Sequence, residues 1–133
     1  MNKDFSEYLQ KKNTQKNIDK LSRKYKGKKV ILYGAGSFAE NIIKDYDLSE
    51  LNILGIADSR FSSNQEEYFQ RFKTINPYLL AETDFDVLII TVYDDSNILD
   101  FIEDTLFYQS KPNFEIETLI KLSFWEYFKI QIT

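Results

Sequence analysis

Residues 28–43 read KKVILYGAGSFAENII, and their reading decides the fold. The run Lys29-Val-Ile-Leu-Tyr33 is short, apolar and rich in β-formers. It is continuous rather than alternating, as expected of a parallel strand covered on both faces. Two of the chain's four glycines follow, Gly34 and Gly36. A helical pattern then runs from about Ser37 to Tyr46, with Phe38, Ile42, Ile43 and Tyr46 on one face. Strand, glycine turn and helix in this order form the opening half of a β-α-β unit.

The rest of the chain extends that unit. Asn52–Ala57 reads as a second buried strand, ended by Asp58-Ser59-Arg60. Residues 59–71 are polar and read as a loop with a helical turn, and Phe72–Ile75 as a short edge strand. Pro77 suits the first turn of a short helix. Asp86–Val92 is the clearest strand of the sequence. Asp94, Asp95 and Ser96 suit the cap of a helix running to about Tyr108. Pro112 breaks it, Phe114–Ile116 reads as a last strand, and Thr118–Ile130 as a final helix. Strands alternating with helices predict an α/β fold. Right-handed crossovers leave few topologies. The expectation is a reduced, three-layer Rossmann-like fold with a mostly parallel sheet of order 3-2-1-4-5, plus N-terminal and C-terminal helices.

Two regions are expected: a basic helical arm over residues 1–27 and a Rossmann-like domain over residues 28–133. Within residues 4–26, Phe5 and Leu9, then Ile18, Leu21 and Tyr25, lie at helical spacings around a polar stretch. That allows one long helix or two shorter ones, ending at Gly27. The net charge of −4 conceals an asymmetry. Residues 1–29 carry ten Lys/Arg against three Asp/Glu; the remainder carries seven against eighteen. A basic arm on an acidic body can signal nucleic acid. No aromatic-interleaved basic patch accompanies it, and the acidic body repels phosphates, so a solvated helix face is the expectation.

With 133 residues and 43 % apolar content, one folded domain with a real core is expected. No cysteine or histidine occurs, which excludes disulfides, thiolate chemistry, histidine bases and the usual transition-metal ligands. No segment reaches the ~20 apolar residues of a membrane span. The N-terminus lacks the apolar core of a secretory signal, so a cytoplasmic location is expected.

The spacing of Gly34, Gly36 and Ala39 fits G-x-G-x-x-G/A. Gly34 permits the tight turn, Gly36 lets a pyrophosphate approach the backbone, and Ala39 lets the helix pack near the strand. The N–H groups opening the helix then face the phosphates, helped by the helix dipole. Ser37 adds a hydroxyl. Asp58, twenty-two residues past Gly36, is placed to accept from a ribose, while Arg60 is placed to meet a 2′-phosphate. The second rim is the end of the fourth expected strand, Thr91-Val92-Tyr93-Asp94-Asp95, where Tyr93 could stack on a base or sugar. Helix capping is an equally good account of the aspartates.

Taken together, VILYGAGSFAENII, NILGIADS and DVLIITVYDD resemble the small Rossmann-like domains of bacterial surface-polysaccharide biosynthesis. Such domains form the N-terminal part of sugar-nucleotide acetyltransferases of the sialic-acid and bacillosamine type, and similar ones precede nucleotide-sugar 4,6-dehydratase domains. The resemblance spans about residues 28–116. It implies binding of NAD, NADP or a nucleotide-sugar by the loop Gly34–Phe38, Asp58 and the end of the fourth strand. The hexapeptide repeats of the acetyltransferases have no counterpart here, nor does the histidine of their glycine turn.

No catalytic residue is evident. The Tyr-x-x-x-Lys spacings, Tyr8/Lys12 and Tyr25/Lys29, precede the glycine turn and do not suit a dehydrogenase. The leading expectation is a binding module acting with a partner domain or subunit. The alternatives are a small NAD(P)-dependent nucleotide-sugar enzyme with its site at a dimer interface, and a ligand-free structural or regulatory subunit. Apolar residues lie nearly all round the segment Leu119–Ile130, which suits a helix buried on more than one side. A homodimer or partner interface through Phe124, Trp125 and Phe128 is therefore expected.

Overall fold

A computed structural model describes residues 4–62, 66–92 and 114–120. The expected helix after Tyr93, with its caps Asp94, Asp95 and Ser96, lies outside the described residues, as do Pro112 and the interface residues Phe124, Trp125 and Phe128.

The N-terminal region forms two helices, α1 (Ser6–Lys11) and α2 (Thr14–Lys24). Asn13 separates them in the left-handed region, at φ 53°. Asparagine enters that region at low cost, so the chain can turn there without glycine. Thr14 Oγ1 donates to the Leu9 carbonyl at 2.6 Å and fixes the corner. Leu9, Ile18, Leu21 and Tyr25 are all buried in the main core. Burying one such side chain stabilises by roughly 1.5–3 kcal/mol. Apolar burial therefore fastens this basic region to the body, and its lysines ring the outside.

The remaining elements among the described residues are β1 (Lys29–Tyr33), α3 (Ser37–Asp45), β2 (Asn52–Ala57), β3 (Tyr68–Phe69), β4 (Phe72–Ile75), a 3-10 helix (Pro77–Glu82), β5 (Val87–Ile90) and β6 (Glu115–Thr118). The fold is mixed α/β around one six-stranded, mostly parallel sheet. The spatial order is β3-β4-β2-β1-β5-β6. It does not match the expected five-stranded order 3-2-1-4-5. Phe72–Ile75 is not the edge; β3 lies outside it and pairs antiparallel, Tyr68 with Lys73 and Phe69 with Phe72. The hairpin turns at Gln70-Arg71, with Gln70 at φ 55°. Two-residue hairpin turns normally announce themselves with glycine or asparagine. Gln-Arg gives no such signal, so residues 68–69 read as loop.

Side chains alternate across the sheet. Val30, Leu32, Val87 and Ile89 join α1, α2 and α3 in one core. Ile31, Tyr33, Leu88 and Ile90 join Leu80 of the 3-10 helix and Phe85 in a second. Both faces of β1 and β5 are thus covered, which explains their unbroken apolar runs.

Candidate functional site

The site rests on strand register. Tyr33 pairs with Ala57 and with Ile90, and Ala57 pairs with Ile75. The next residue on each strand therefore stands on one rim: Gly34, Asp58, Asn76 and Thr91. From β1 the chain passes to β2 on one side, and later crosses to β5 on the other. Gly34–Gly36 thus leave the sheet where its order reverses, the crevice in which open α/β sheets bind ligands.

The two glycines of the turn differ physically. Gly34 has φ 118°, and a Cβ there would collide with Val92 Cγ2 and lie 3.0 Å from the Thr91 carbonyl oxygen. Its N–H donates to the Ala57 carbonyl at 2.8 Å. The fold itself requires glycine there. Gly36 has φ −101° and ψ −160°, ordinary extended backbone. A Cβ on Gly36 would meet nothing within 4 Å among the described residues. Neither conformation nor packing demands a glycine at this position.

Gly36 is also the residue before α3, and among the described residues no side chain caps that helix. N–H groups of a first helical turn have no acceptor within the helix. Ala39 is fully buried, so α3 packs closely against the sheet. Ser37 is half-buried at the mouth of the turn. Phe38 points away from it: its ring is buried against Phe5, edge to face at 5.1 Å, and near Tyr8. Only its backbone belongs to the turn.

Asp58 and Arg60 close over the middle of the turn. Asp58 Oδ2 accepts the Ala35 N–H at 2.8 Å. Its Oδ1 accepts the Arg60 N–H at 3.0 Å and Arg60 Nε at 2.9 Å, and Arg60 Nη2 reaches Oδ2 at 3.2 Å. Arg60 Nη2 also donates to the Ala35 carbonyl. A carboxylate offers about four lone-pair sites. All are engaged within the chain, so a ribose hydroxyl can reach Asp58 only by displacing part of Arg60. Burial pulls the Asp58 pKa upward, but the Arg60 side chain, the two N–H donors and the Arg60 charge outweigh it. The carboxyl is held below its ordinary value. Arg60 is raised in turn, chiefly by its hydrogen bond to Asp58. The Arg60 side chain is 62 % exposed, so an anion could approach it from solvent.

Thr91 is buried, and its hydroxyl lies 3.1 Å from the Tyr33 carbonyl and 2.8 Å from that of Gly34. The structure gives it a positioning role: it fastens the start of the turn to β5. Tyr93 lies outside the described residues. Sequence reasoning passed over Tyr33, whose ring is buried on the face opposite α3. Burial first, then the charges of Asp58 and Tyr78, push its phenol up to about 12. The strand alternation was the signal for its orientation.

A separate groove of about 290 Å³ lies between α2 and β6, with Lys12, Lys20, Lys24 and Glu117 above Leu21 and Leu119. None of the turn residues lines it. Lys24 is already paired with Glu117 at 2.7 Å. Among the described residues no cluster of acidic side chains could hold a metal ion, and no helix is long and apolar enough to cross a membrane.

No curated protein and no solved structure matches the chain. A family match does exist, to the family described as C2185-like, N-terminal, and it spans residues 26–111. That stretch runs from the end of the N-terminal helices through β5 and includes the whole glycine turn with Asp58, Arg60 and Thr91. By this match the chain belongs to the C2185-like, N-terminal family.

Proposed function

We propose that this chain is a cytoplasmic, nucleotide- or nucleotide-sugar-binding Rossmann-like module of bacterial cell-surface carbohydrate biosynthesis, acting with a partner domain or subunit. The observation that carries the reading is Gly36. Its backbone suits any residue, and among the described residues nothing occupies the space where its Cβ would be. A phosphate pressed against the opening of α3 gives that glycine a purpose. The Rossmann-like reading sets β3 aside as an added hairpin strand; the other five are parallel, with β1 at the reversal of order. The biosynthetic context rests on the sequence resemblance described above, and the family's description as N-terminal is in keeping with a module that works beside another domain.

NAD, NADP and nucleotide-sugars share the same phosphate chemistry. The test is a thermal-shift and calorimetry panel of NAD(H), NADP(H) and UDP-, CDP-, GDP- and dTDP-sugars, repeated with Gly36→Val. A ligand at a hundred times its Kd adds about 2.7 kcal/mol to stability. For a domain of this size that is a rise of several degrees in Tm. The expected result is a rise with one ligand class, abolished in a folded Gly36→Val variant. No rise with any ligand, or unchanged affinity in the variant, overturns the proposal and leaves a structural or interaction role.

A further inference from the structure

Beyond the turn, the rim continues over β2 to β4, and Tyr78 lies two residues past its β4 position. Asn76 follows β4, and Ile75 pairs with Ala57, so Asn76 stands beside Asp58 in register. Asn76 Oδ1 accepts the Tyr78 N–H at 3.0 Å, and Asn76 Nδ2 donates to the Ser62 carbonyl at 3.4 Å. The loop after β2 and the start of the 3-10 helix are thereby tied together. Pro77 and Leu80 are buried on either side of Tyr78. The backbone under Tyr78 is anchored, yet its side chain is 63 % exposed. An anchored, exposed aromatic beside a crevice has the form of a stacking surface.

We propose that Tyr78 is the platform for the aromatic base of the ligand, so that the bound nucleotide runs from the glycine turn across Asp58 and Arg60 toward β4. This rests on the glycine turn holding the ligand's phosphates. From β1 to β4 is two strand spacings, about 10 Å. A phosphate, a ribose and a base in sequence bridge such a span, with Arg60 beside the ribose and the ring on Tyr78. The base is read by its π-face, and the phosphates by backbone N–H groups. Such a site discriminates strongly between nucleotides and base-free phosphates and weakly among bases.

Calorimetry on the whole chain tests it, using the nucleotide that gives the largest thermal shift alongside inorganic pyrophosphate. Tyr78→Ala is expected to weaken the nucleotide roughly ten- to a hundredfold. Pyrophosphate binding and Tm should stay as they are, and Tyr78→Phe should retain the wild-type affinity. Unchanged nucleotide affinity in Tyr78→Ala overturns the platform; loss of binding by Gly36→Val in the same series then shows that the phosphate site itself survives. An equal loss of pyrophosphate affinity in Tyr78→Ala also overturns it, because the effect would then lie at the turn. If the wild-type chain binds no nucleotide, both proposals fall.

Discussion

Asp58 Oδ2 accepts the Ala35 N–H at 2.8 Å, joining the end of β2 to the middle of the glycine turn. Arg60, itself held by Asp58, donates to the carbonyl of the same residue 35. One residue of the turn is therefore gripped at both its backbone donor and its backbone acceptor. The turn is preorganised, and the ion pair that does this is the pair expected to meet the ligand's ribose end.

That grip depends on an ionised Asp58. Its folded pKa lies below the ordinary carboxylate value, so the folded state binds fewer protons than the unfolded one. The stability it contributes is fully present above the unfolded value of about 3.9. It is lost as pH falls through the lower folded value. Asp58→Asn removes this term. Denaturation followed between pH 7 and pH 2 should show a shallower acid limb in Asp58→Asn than in the wild type. Parallel acid limbs would mean that the clamp contributes nothing.

If the turn holds a dinucleotide, Arg60 is expected to bias the choice between NAD and NADP. Its guanidinium engages the lone pairs of Asp58 that a ribose diol would use, and its exposed charge would favour an anion. Arg60→Ala should therefore shift preference from NADP toward NAD, by about tenfold in the ratio of affinities. Calorimetry with both cofactors reads that ratio directly. A constant ratio would place the 2′ position elsewhere.

The glycines predict opposite stability effects. Gly34→Ala forces a side chain into a left-handed conformation and into Val92 and Thr91. It should cost about 2–4 kcal/mol. Gly36→Ala meets no described residue, has a permitted φ and changes only a helix-capping position. It should cost about 1 kcal/mol or less. Urea denaturation of the two variants separates them. Equal losses would mean that Gly36, too, is glycine for the fold's sake.

Much of this was legible in residues 28–58, because each residue's local demand agrees with its place. The unbroken run Val30–Leu32 meant cover on both faces, Ala39 meant close packing, and Asp58 stood one residue past a strand. Other features were illegible for physical reasons. The Gln70-Arg71 hairpin uses a positive φ at a residue type that rarely takes it. Thr91 reads as a rim hydroxyl until the pairing of β1 with β5 puts the Gly34 carbonyl beside it. Arg60 looks like a free cation two residues from an aspartate, and only the turn's position shows that it reaches Ala35. In each case a contact distant in sequence decides the role, and local pattern holds no record of it.

Thr91→Val tests the positioning role. The substitution keeps the branched shape and removes a buried hydroxyl whose one proton lies between two carbonyls, nearer that of Gly34. The Tyr33 carbonyl still accepts the Thr91 main-chain N–H, but the Gly34 carbonyl loses that bond. A loss of about 1–2 kcal/mol is expected. Nucleotide affinity should fall in step, because the turn is no longer fastened to β5. A variant as stable as the wild type would show that other bonds alone hold the turn.

Tyr25 gives the last prediction, at the other end of the sheet. Its phenol lies 2.7 Å from Glu115 Oε2 and 2.6 Å from Glu117 Oε1, so it fastens α2 to β6. Burial, and then the hydrogen bonds to Glu117 and Glu115, hold its pKa well above the ordinary tyrosine value. The folded state thus keeps a proton that the unfolded chain releases near pH 10. Stability from this phenol is fully present below pH 10 and drains away as pH rises beyond it. Tyr25→Phe should lose about 1–2 kcal/mol at neutral pH, through the lost hydrogen bonds of a buried group. It should also show a flatter alkaline limb than the wild type as pH rises above about 10. The neutral-pH loss alone would follow from any buried hydrogen bond. The flattened limb is specific to a phenol held protonated between two carboxylates, and its absence would remove Tyr25 as the fastening between the N-terminal helices and the sheet.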